Sequence, residues 1–457
     1  MVEKIKKSLR ESAAARWTAL AVVAFTMLCG YFLTDVLSPL KPMLEAQNAW
    51  SSSDFGLFMG AYGWFNVFLL MLIIGGIVLD KYGVRITGVG AASLMVIGTA
   101  IKYWAISTSF ADDATLFGLK AQVFWAAIGY AIFAVGVEVA GITVSKIIVK
   151  WFKGKELALA MGLEMATARL GTLLALAVTP IIAKHFQSVS VPILLCLILL
   201  CIGLISFIIY CFIDVKLDKE SATETNQQDE EQFRVSDIFL ILKNKGFWLI
   251  ALLCVLFYSA VFPFLKYAAD LMVNKFGIDE EFAGLIPSVL PLGTLFLTPF
   301  FGSLYDRKGK GASIMILGAI LLIVVHVLFA VPFITNWLIA LVLIIILGIG
   351  FSLVPSAMWP SVPKIIPEKQ LGTAYSLIFW IQNWGLMGIP MLIGWVLDKY
   401  CITGQIEVAG KMRNTYDYTL PMMIFALCGV LALIFAFWLK AEDKKKGYGL
   451  EEPNIKK

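Results

Sequence analysis

The distribution of apolar residues along the chain predicts a bundle of membrane-spanning helices. Apolar residues come in runs of about 20, the length that a helix needs to cross a hydrocarbon core about 30 Å thick. They do not show the weak alternation of membrane β-strands. Twelve such runs are separated by polar turns, at residues 17–39, 55–79, 86–107, 120–147, 156–180, 191–213, 246–271, 281–304, 311–332, 336–360, 370–397 and 418–439.

The composition and the basic residues fix the class and the orientation. Hydrophobic residues make up 60% of the 457 residues and charged residues only 15%, against roughly 25% charged residues in soluble domains. Predicted cytoplasmic segments hold 26 Lys and Arg residues and predicted outer segments hold seven, so both termini are expected in the cytoplasm. This bias explains the net charge of +5 and gives no reason to expect nucleic acid. The first apolar run is too long for a cleaved signal and is interpreted as a retained helix.

The chemistry-bearing residue types do not indicate an enzyme. Six of the seven cysteines lie inside predicted spans and Cys401 lies in an outer loop, so no disulfide framework is expected. Neither histidine has a neighbouring Cys, His or carboxylate at ligand spacing, so no metal site is predicted. Nothing forms a set of nucleophile, base and orienting residue, and no cofactor is expected.

A polar segment divides the spans into six and six. It lacks apolar periodicity and is expected to be a solvated linker. The predicted organisation is an N-terminal six-helix half (1–213), a cytoplasmic linker (214–245), a C-terminal six-helix half (246–440) and a cytoplasmic tail (441–457).

A repeated loop relates the two halves. "GGIVLDKYGVR" follows span two and "FGSLYDRKGK" follows span eight, and Asp80 and Asp306 are 226 residues apart. A six-plus-six repeat of this kind resembles the major facilitator superfamily, whose halves rock about a site near the bilayer midplane. Asp80, Arg85, Asp306 and Arg307 are candidates for a cytoplasmic gate latch that pairs across the halves. The alternative for each loop is a glycine turn with positive-inside charges.

Apart from charges at the first residue of a span, eight charged residues fall inside the predicted spans, and their position along each span distinguishes their expected roles. Lys102 and Lys146 lie near span ends, where long side chains can reach the interface. Lys266 and Asp270 are four residues apart near an outer end and are expected to form a pair on one helix. Asp35 also lies near an outer end, and the remaining three are Glu138, Glu164 and Arg169.

Glu138 and Arg169 are predicted to share one depth. Spans four and five form a hairpin whose cytoplasmic turn is centred on Lys153, 15 residues after Glu138 and 16 before Arg169. At 1.5 Å per residue, both lie about 23 Å from the turn, near the bilayer middle. Small residues at helical spacing around each charge indicate that both face neighbouring helices rather than lipid.

An acid and a base at equal depth are interpreted as the two poles of a binding site. The alternative is a buried structural ion pair, which often stabilises no better than apolar residues. A dipeptide suits the poles because two extended residues span roughly 7 Å. Glu164 lies about 7.5 Å nearer the cytoplasm than Arg169; proton binding, an inner-gate role and a simple hydrogen bond all stay open for it.

A specific resemblance appears in "SAMWPSVPKIIPEKQLGTAYSLIFWIQNWGL", at Ser356 to Leu386. This segment resembles spans ten and eleven of the major facilitator superfamily domain-containing protein one family, whose animal members are lysosomal dipeptide transporters. Further matches are "YFLTDV", "AYGWFNV", "WFKGKELALAMGL", "ATARLG" and "AVFPF". The resemblance implies that Glu138, in "VGVEVAG", takes the peptide ammonium, and that Arg169 takes the carboxylate.

The sequence also departs from that family. Glu164 stands where relatives carry a neutral amide, so proton-coupled and facilitative transport both stay open. Tyr62, Asn66 and Gln382 fall near mid-membrane and are lower-ranked pocket candidates, with interhelical hydrogen bonds or packing as the alternative. A bacterial plasma membrane is favoured as the location, with a lysosomal membrane as the alternative.

The predicted function is alternating-access transport of dipeptides. The alternatives are transport of another small zwitterionic or anionic solute and a non-transporting receptor or scaffold. An organophosphate exchanger is disfavoured because the second half has only Lys266 as an internal cation. The expected partners are a dipeptide and the lipid bilayer, with protons left open and an accessory subunit undecided. The chain is expected to function as a monomer.

Overall fold

The computed structural model describes residues 12–111, 114–152, 156–221, 235–367, 370–408 and 411–455. The turn at Lys153, the middle of the linker (222–234) and the last two residues of the tail lie outside the described residues. The helices are α1 (Ala13–Asp35), α2 (Lys41–Asn48), α3 (Ser52–Gly60), α4 (Trp64–Phe68), α5 (Met71–Ser107), α6 (Ala121–Phe152), α7 (Leu157–His185), α8 (Ser190–Ser221), α9 (Val235–Leu242), α10 (Lys245–Phe276), α11 (Leu285–Lys308), α12 (Gly311–Ala330), α13 (Trp337–Ile365), α14 (Leu371–Tyr400) and α15 (Thr419–Lys446).

The predicted all-helical membrane fold is confirmed. Within the described ranges, eleven helical segments are long and apolar enough to cross a membrane. The remaining predicted span, the second, is made of α3, a 3₁₀ turn at Ala61–Gly63, α4 and the first part of α5. α8 continues into the predicted linker, α9 lies within it, and α15 continues into the predicted tail.

The second span is interrupted rather than continuous. α4 ends at Phe68, and Leu70 has a left-handed backbone (φ 53°) before α5 begins. α5 then contains Gly83 with φ 77° and ψ 176°, where the second span ends and the third begins. A glycine fits there because an L side chain rarely adopts that conformation. Broken spans of this kind in transporters are tolerated where they line a cavity or are buried in protein.

Two short antiparallel hairpins lie outside the membrane and were not predicted. β1 (Thr115–Leu116) pairs with β2 (Leu119–Lys120) between α5 and α6. β3 (Ile402–Val408) pairs with β4 (Lys411–Tyr416) between α14 and α15. The second hairpin brings Tyr416 to the outer ends of α2 and α10, where it contributes to a buried polar cluster considered below.

The two halves meet closely on the outer side. α3 packs directly on α14, and a Cβ atom added at Gly56 would lie 2.5 Å from the Pro390 carbonyl oxygen. A Cβ atom at Gly394 would lie 2.2 Å from the Ser52 carbonyl oxygen. Small residues at such crossings allow helix backbones to approach. The outer ends of the two halves are therefore in tight contact.

Polar contacts between the halves also lie on the outer side or near mid-membrane. Asp35 pairs with Lys266, Lys41 pairs with Asp270, and Lys184 pairs with Glu281. The backbone amides of Ser52 and Ser53 donate to the Asp398 carboxylate. Trp380 Nε1 donates to the Val67 carbonyl near mid-membrane. Near the cytoplasmic ends, the hydrogen bonds and ion pairs given for the described residues each stay within one half. The described contacts between the halves thus hold the outer side closed.

Candidate functional site

Glu138 lies on α6 and is held by a tyrosine from the interrupted second span. The Tyr62 hydroxyl donates to Glu138 Oε1 at 2.6 Å. Gly136 allows α6 to pack against α5, because a Cβ atom there would lie 2.6 Å from the Ala91 carbonyl oxygen. Glu138 itself is only half-buried. One of its carboxylate oxygens is thus fixed in position while the side chain keeps access to solvent.

Tyr62 is positioned in turn by its neighbours. Its carbonyl accepts a hydrogen bond from Asn66 Nδ2 at 3.3 Å, and its ring centroid lies 5.7 Å from that of Tyr130. Asn66 is fully buried, and its Oδ1 atom has no partner in the structure. The sequence placed Tyr62 and Asn66 near the pocket as lower-ranked candidates. In the structure Tyr62 contacts Glu138 directly and Asn66 supports Tyr62.

Arg169 lies on α7 and faces aromatic residues of the other half. Its guanidinium carbon lies 5.6 Å from the ring centroid of Phe262 on α10 and 5.6 Å from that of Phe351 on α13. The two rings pack edge to face with centroids 5.5 Å apart. Cations over aromatic faces are stabilised by the ring quadrupole. Arg169 therefore bridges the two halves without using a carboxylate.

The two predicted poles are not paired with each other. Within the described residues, neither a hydrogen bond nor an ion pair of 4.0 Å or less joins Glu138 to Arg169, and Arg169 has no ionic partner. Both side chains are half-buried, and Tyr31 on α1 lies within electrostatic range of both. An acid and a base thus lie near the same tyrosine, half-buried and with no bond between them, a state that suits a ligand carrying both charges.

Glu164 is also without a hydrogen bond or ion pair in the part of the chain that the structure describes. Its side chain is half-buried on α7, and Arg169 is the charged residue with the largest electrostatic effect on it. The other face of α7 lines an apolar groove of about 550 Å³ against α11, with Gly162, Ala166 and Phe296 among its walls. Gly162 and Ala166 thus face this groove rather than a closely packed helix, and a Cβ atom added at Gly162 would meet nothing within 4 Å.

Gln382 lies apart from the two poles. It is buried on α14, and its Oε1 accepts a weak hydrogen bond from the Cys254 thiol at 3.8 Å. Both residues belong to the second half. The structure gives Gln382 a contact between helices α10 and α14 rather than a contact with Glu138 or Arg169.

Three of the four proposed latch residues have described contacts within their own halves in this conformation. Asp80 pairs with Lys146 at 3.2 Å, and Arg85 pairs with Asp214 at 3.4 Å. Asp306 accepts a hydrogen bond from Asn454 at 2.8 Å, and Arg307 is exposed. A latch between halves is expected only when the cytoplasmic side closes.

Two expectations about charges near span ends are wrong. Lys102 does not reach the interface: it is 1% exposed, with its Nζ 4.6 Å from the Tyr130 ring and 5.1 Å from the Phe58 ring. The reason is that α3 and α6 cover this end of α5. Lys266 and Asp270 do not pair with each other either. Lys266 pairs with Asp35 at 2.6 Å and Asp270 with Lys41 at 2.7 Å, because the first half packs on α10 here.

Sequence reasoning missed the aromatic residues that face Arg169. Phe262 lies within the quoted "AVFPF" segment, but nothing local distinguishes it or Phe351 from other core aromatics. It also missed Lys41 and Glu45, which follow the first span and were treated as loop residues. Their significance depends on contacts with the opposite half, and hydropathy along one segment carries no information about such contacts.

The fold and the site together define a class of protein. The described helices form two halves that are held together at their outer ends, and part-exposed charged side chains lie inside the spans. Two helical halves around a charged site are the arrangement of an alternating-access membrane transporter. The family model of the Major Facilitator Superfamily matches residues 23–269 and 264–455. The chain belongs to the Major Facilitator Superfamily and is a transporter rather than an enzyme.

Similar proteins include curated transporters from animals. The chain is 28% identical over 448 residues to a mouse (Mus musculus) protein named lysosomal dipeptide transporter MFSD1, covering 96% of this chain and 88% of that protein. A zebrafish (Danio rerio) protein of the same name is 28% identical over 398 residues, covering 84% and 81%.

Solved structures support the fold alone. The nucleoside transporter NupG superposes with a TM-score of 0.67 at 16% identity, covering 93% of this chain and 99% of that one. A bacterial homologue of the human lysosomal transporter Spinster, in an inward-facing and occupied conformation, gives 0.67 at 13% identity, covering 95% and 98%.

Proposed function

We propose that this chain transports dipeptides by alternating access, with Glu138 and Arg169 as the two poles of the substrate site. The observation that carries the proposal is that the two charges lie within electrostatic range of the same tyrosine, Tyr31, stay part-exposed and are not paired with each other. A structural ion pair would have closed this gap. The names of the mouse and zebrafish relatives support a dipeptide as the substrate.

The geometry suggests how each terminus is received. Tyr62 holds one Glu138 oxygen, which leaves the other oxygen to accept from the peptide ammonium. Phe262 and Phe351 contact the Arg169 guanidinium from the second half, and no carboxylate among the described residues pairs with it, so its N–H groups are free to bind a peptide carboxylate. Two parallel N–H···O bonds from a guanidinium are a strong way to hold a carboxylate.

Substrate binding would then favour closure of the cavity. A zwitterion gives each pole a partner, which lowers the cost of removing the poles from water. A ligand shifts a conformational equilibrium only through a difference in affinity between the states. The proposed moving units are residues 1–213 and 246–440, connected by 214–245 and followed by the tail 441–457. The latch pairs Asp80, Arg85, Asp306 and Arg307 would form on the cytoplasmic side in the opposite conformation.

Transport of another zwitterionic or anionic solute is the alternative, and either coupling mode fits the same poles. Glu164, a carboxylate near Arg169 with no described ionic partner, is the residue that would support proton coupling. The location favoured here is a bacterial plasma membrane, and the functional unit proposed is a monomer.

Counterflow in proteoliposomes tests the proposal. Vesicles loaded with an unlabelled dipeptide should accumulate the same labelled dipeptide. Loading with the peptide blocked at both ends, by N-acetylation and C-amidation, should not drive accumulation, because neither pole then gains a charged partner. Equal counterflow with the blocked peptide would refute the pole assignment, and no counterflow with any dipeptide would refute the substrate.

A further inference from the structure

A second charged cluster lies on the outer side, away from the substrate poles. Lys41 Nζ lies 2.7 Å from Glu45 Oε1 and 2.7 Å from Asp270 Oδ2, and it stands 4.2 Å from the centroid of the Tyr416 ring. Lys41 is fully buried, Asp270 is 1% exposed and Glu45 is 7% exposed. Lys41 and Glu45 belong to the first half and Asp270 to the second, so the cluster joins the halves.

The hydrogen bonds distinguish the two carboxylates. Asp270 accepts at both oxygens, from Asn274 Nδ2 at 2.9 Å on Oδ1 and from Lys41 and the Tyr418 hydroxyl on Oδ2. Glu45 accepts at Oε1 only, from Lys41, Ser52 Oγ and the Tyr416 hydroxyl. Glu45 Oε2 is buried and has no hydrogen-bond partner among the described residues. Donors on both oxygens stabilise an ionised carboxylate, and Glu45 lacks them on one side.

The formal charges of the cluster do not balance. Two carboxylates share one ammonium, which leaves one uncompensated negative charge in a buried place. An uncompensated buried charge is costly, and the usual response is to neutralise a group by binding a proton. The other titratable groups around the cluster are Tyr267 on α10, Asp398 on α14 and Tyr418 just before α15, and none of them adds a positive charge.

We propose that this cluster is a proton-binding site, in which Glu45 carries one proton whenever the outer side is closed. The proton neutralises the carboxylate whose Oε2 lacks a donor, while Asp270 stays ionised and pairs with Lys41 across the halves. Because the two acids share one lysine, the proton belongs to the pair as a coupled unit. This site is separate from Glu138, Arg169 and Glu164 and does not depend on the identity of the substrate.

Opening the outer side releases the proton. When the halves separate there, Lys41 and Glu45 stay together in the first half as a balanced pair at i and i+4, and Asp270 enters water. The closed state therefore binds one more proton than the open state. Acid on the outer side stabilises closure, and the ratio of closed to open molecules falls as the outer pH rises, by at most about tenfold for each pH unit.

The test is a distance measurement on the full chain in nanodiscs. Fluorophores carried by a non-natural amino acid at Gln187 and Phe333, exposed outer positions in the two halves, report separation while all seven native cysteines remain. Energy transfer is recorded from about pH 4.5 to about pH 8.5, the range that brackets ordinary and raised carboxyl pKa values. The variants are Glu45→Gln, Asp270→Asn and Glu407→Gln, the last being an exposed carboxylate on the same face.

The expected results differ among the variants. The unsubstituted protein should move from closed to open as the pH rises, and Glu407→Gln should follow it. Glu45→Gln should be closed at every pH, because Lys41 and Asp270 then balance across the halves. In Asp270→Asn the equilibrium should be shifted toward the open state and should not depend on pH. Because two variants test the same cluster, the proposal stays testable even if one of them folds poorly. A flat pH profile in the unsubstituted protein, or an unchanged slope in Glu45→Gln, would overturn the proposal.

Discussion

The proposed substrate poles and the outer gate use charged residues in opposite ways. At the outer gate, Lys266 pairs with Asp35 at 2.6 Å and Lys41 pairs with Asp270 at 2.7 Å, and all four side chains are nearly buried. At the poles, Glu138 has only a tyrosine hydroxyl as a partner and Arg169 has only aromatic rings among the described contacts. Paired charges hold two surfaces together, whereas unpaired charges that keep access to water can bind a ligand.

This comparison predicts that the largest effect on binding comes from Arg169. Arg169→Gln removes the proposed carboxylate partner and should weaken dipeptide binding by about 30-fold or more, since loss of one partner of a desolvated charge pair costs about 2 to 5 kcal/mol. Isothermal titration calorimetry measures this change in dipeptide affinity. Arg169→Lys should rescue only part of the loss, because a lysine lacks the planar fork. Full affinity in Arg169→Gln would show that this charge is structural.

Breaking one gate pair should change conformation rather than ligand affinity at the poles. Lys266→Met leaves the Asp35 carboxylate without its cation, and both side chains of this pair are nearly buried. Removal of one partner of a buried ion pair costs about 3 to 5 kcal/mol. The outer side should open, as seen in the energy-transfer distance between Gln187 and Phe333. The double variant Asp35→Leu with Lys266→Met should recover much of the closed state. A double variant as open as the single one would contradict this account of the gate.

Removal of the hydroxyl that holds Glu138 should have a smaller effect. Tyr62→Phe deletes a hydrogen bond to a carboxylate, and such bonds contribute about 1.5 to 3 kcal/mol, so affinity should fall by roughly tenfold to 100-fold. The matched control is Tyr258→Phe, whose hydroxyl accepts from Trp359 Nε1 and has no described contact with Glu138. If both variants lost affinity equally, Tyr62 would have no special role at the pole.

The smallest expected effect belongs to the aromatic residues on Arg169. Phe262→Leu or Phe351→Leu removes a cation–π contact worth about 0.5 to 2 kcal/mol, so each should weaken binding by roughly threefold to thirtyfold. Phe264→Leu is the control, because Phe264 is fully buried against His326 and Phe425 instead. A thermal-shift titration with the dipeptide distinguishes a loss of affinity from a general loss of stability.

The sequence was informative where the argument stayed within one hairpin. Helical rise places Glu138 and Arg169 at one depth, and the structure has both side chains half-buried on adjacent spans. Apolar runs also predict the twelve spans, since bilayer thickness sets their length. The interruption at Leu70 could not be predicted, because a leucine with positive φ has no local signature and is held there by the surrounding structure.

The sequence was misleading where distant segments compete for a charge. Lys266 and Asp270 have the spacing of a helical pair, yet each is closer to a partner from the first half. Lys102 lies near a span end, yet α3 and α6 bury it. Local spacing describes the contacts available within one helix, whereas packing between halves decides which contacts form.

The central claim is that Glu138 binds the peptide ammonium and Arg169 binds the peptide carboxylate. Measuring the affinity of each modified ligand for each variant tests this claim most directly. Affinities of the free, N-acetylated and C-amidated dipeptide are measured for the unsubstituted protein, Glu138→Gln and Arg169→Gln. The account predicts that N-acetylation weakens binding by at least about tenfold except in Glu138→Gln, and that C-amidation does so except in Arg169→Gln. In each exception the substitution has already removed the interaction that the ligand modification would remove, so the two effects do not add. Equal sensitivity of both variants to both modifications would contradict the assignment of the poles.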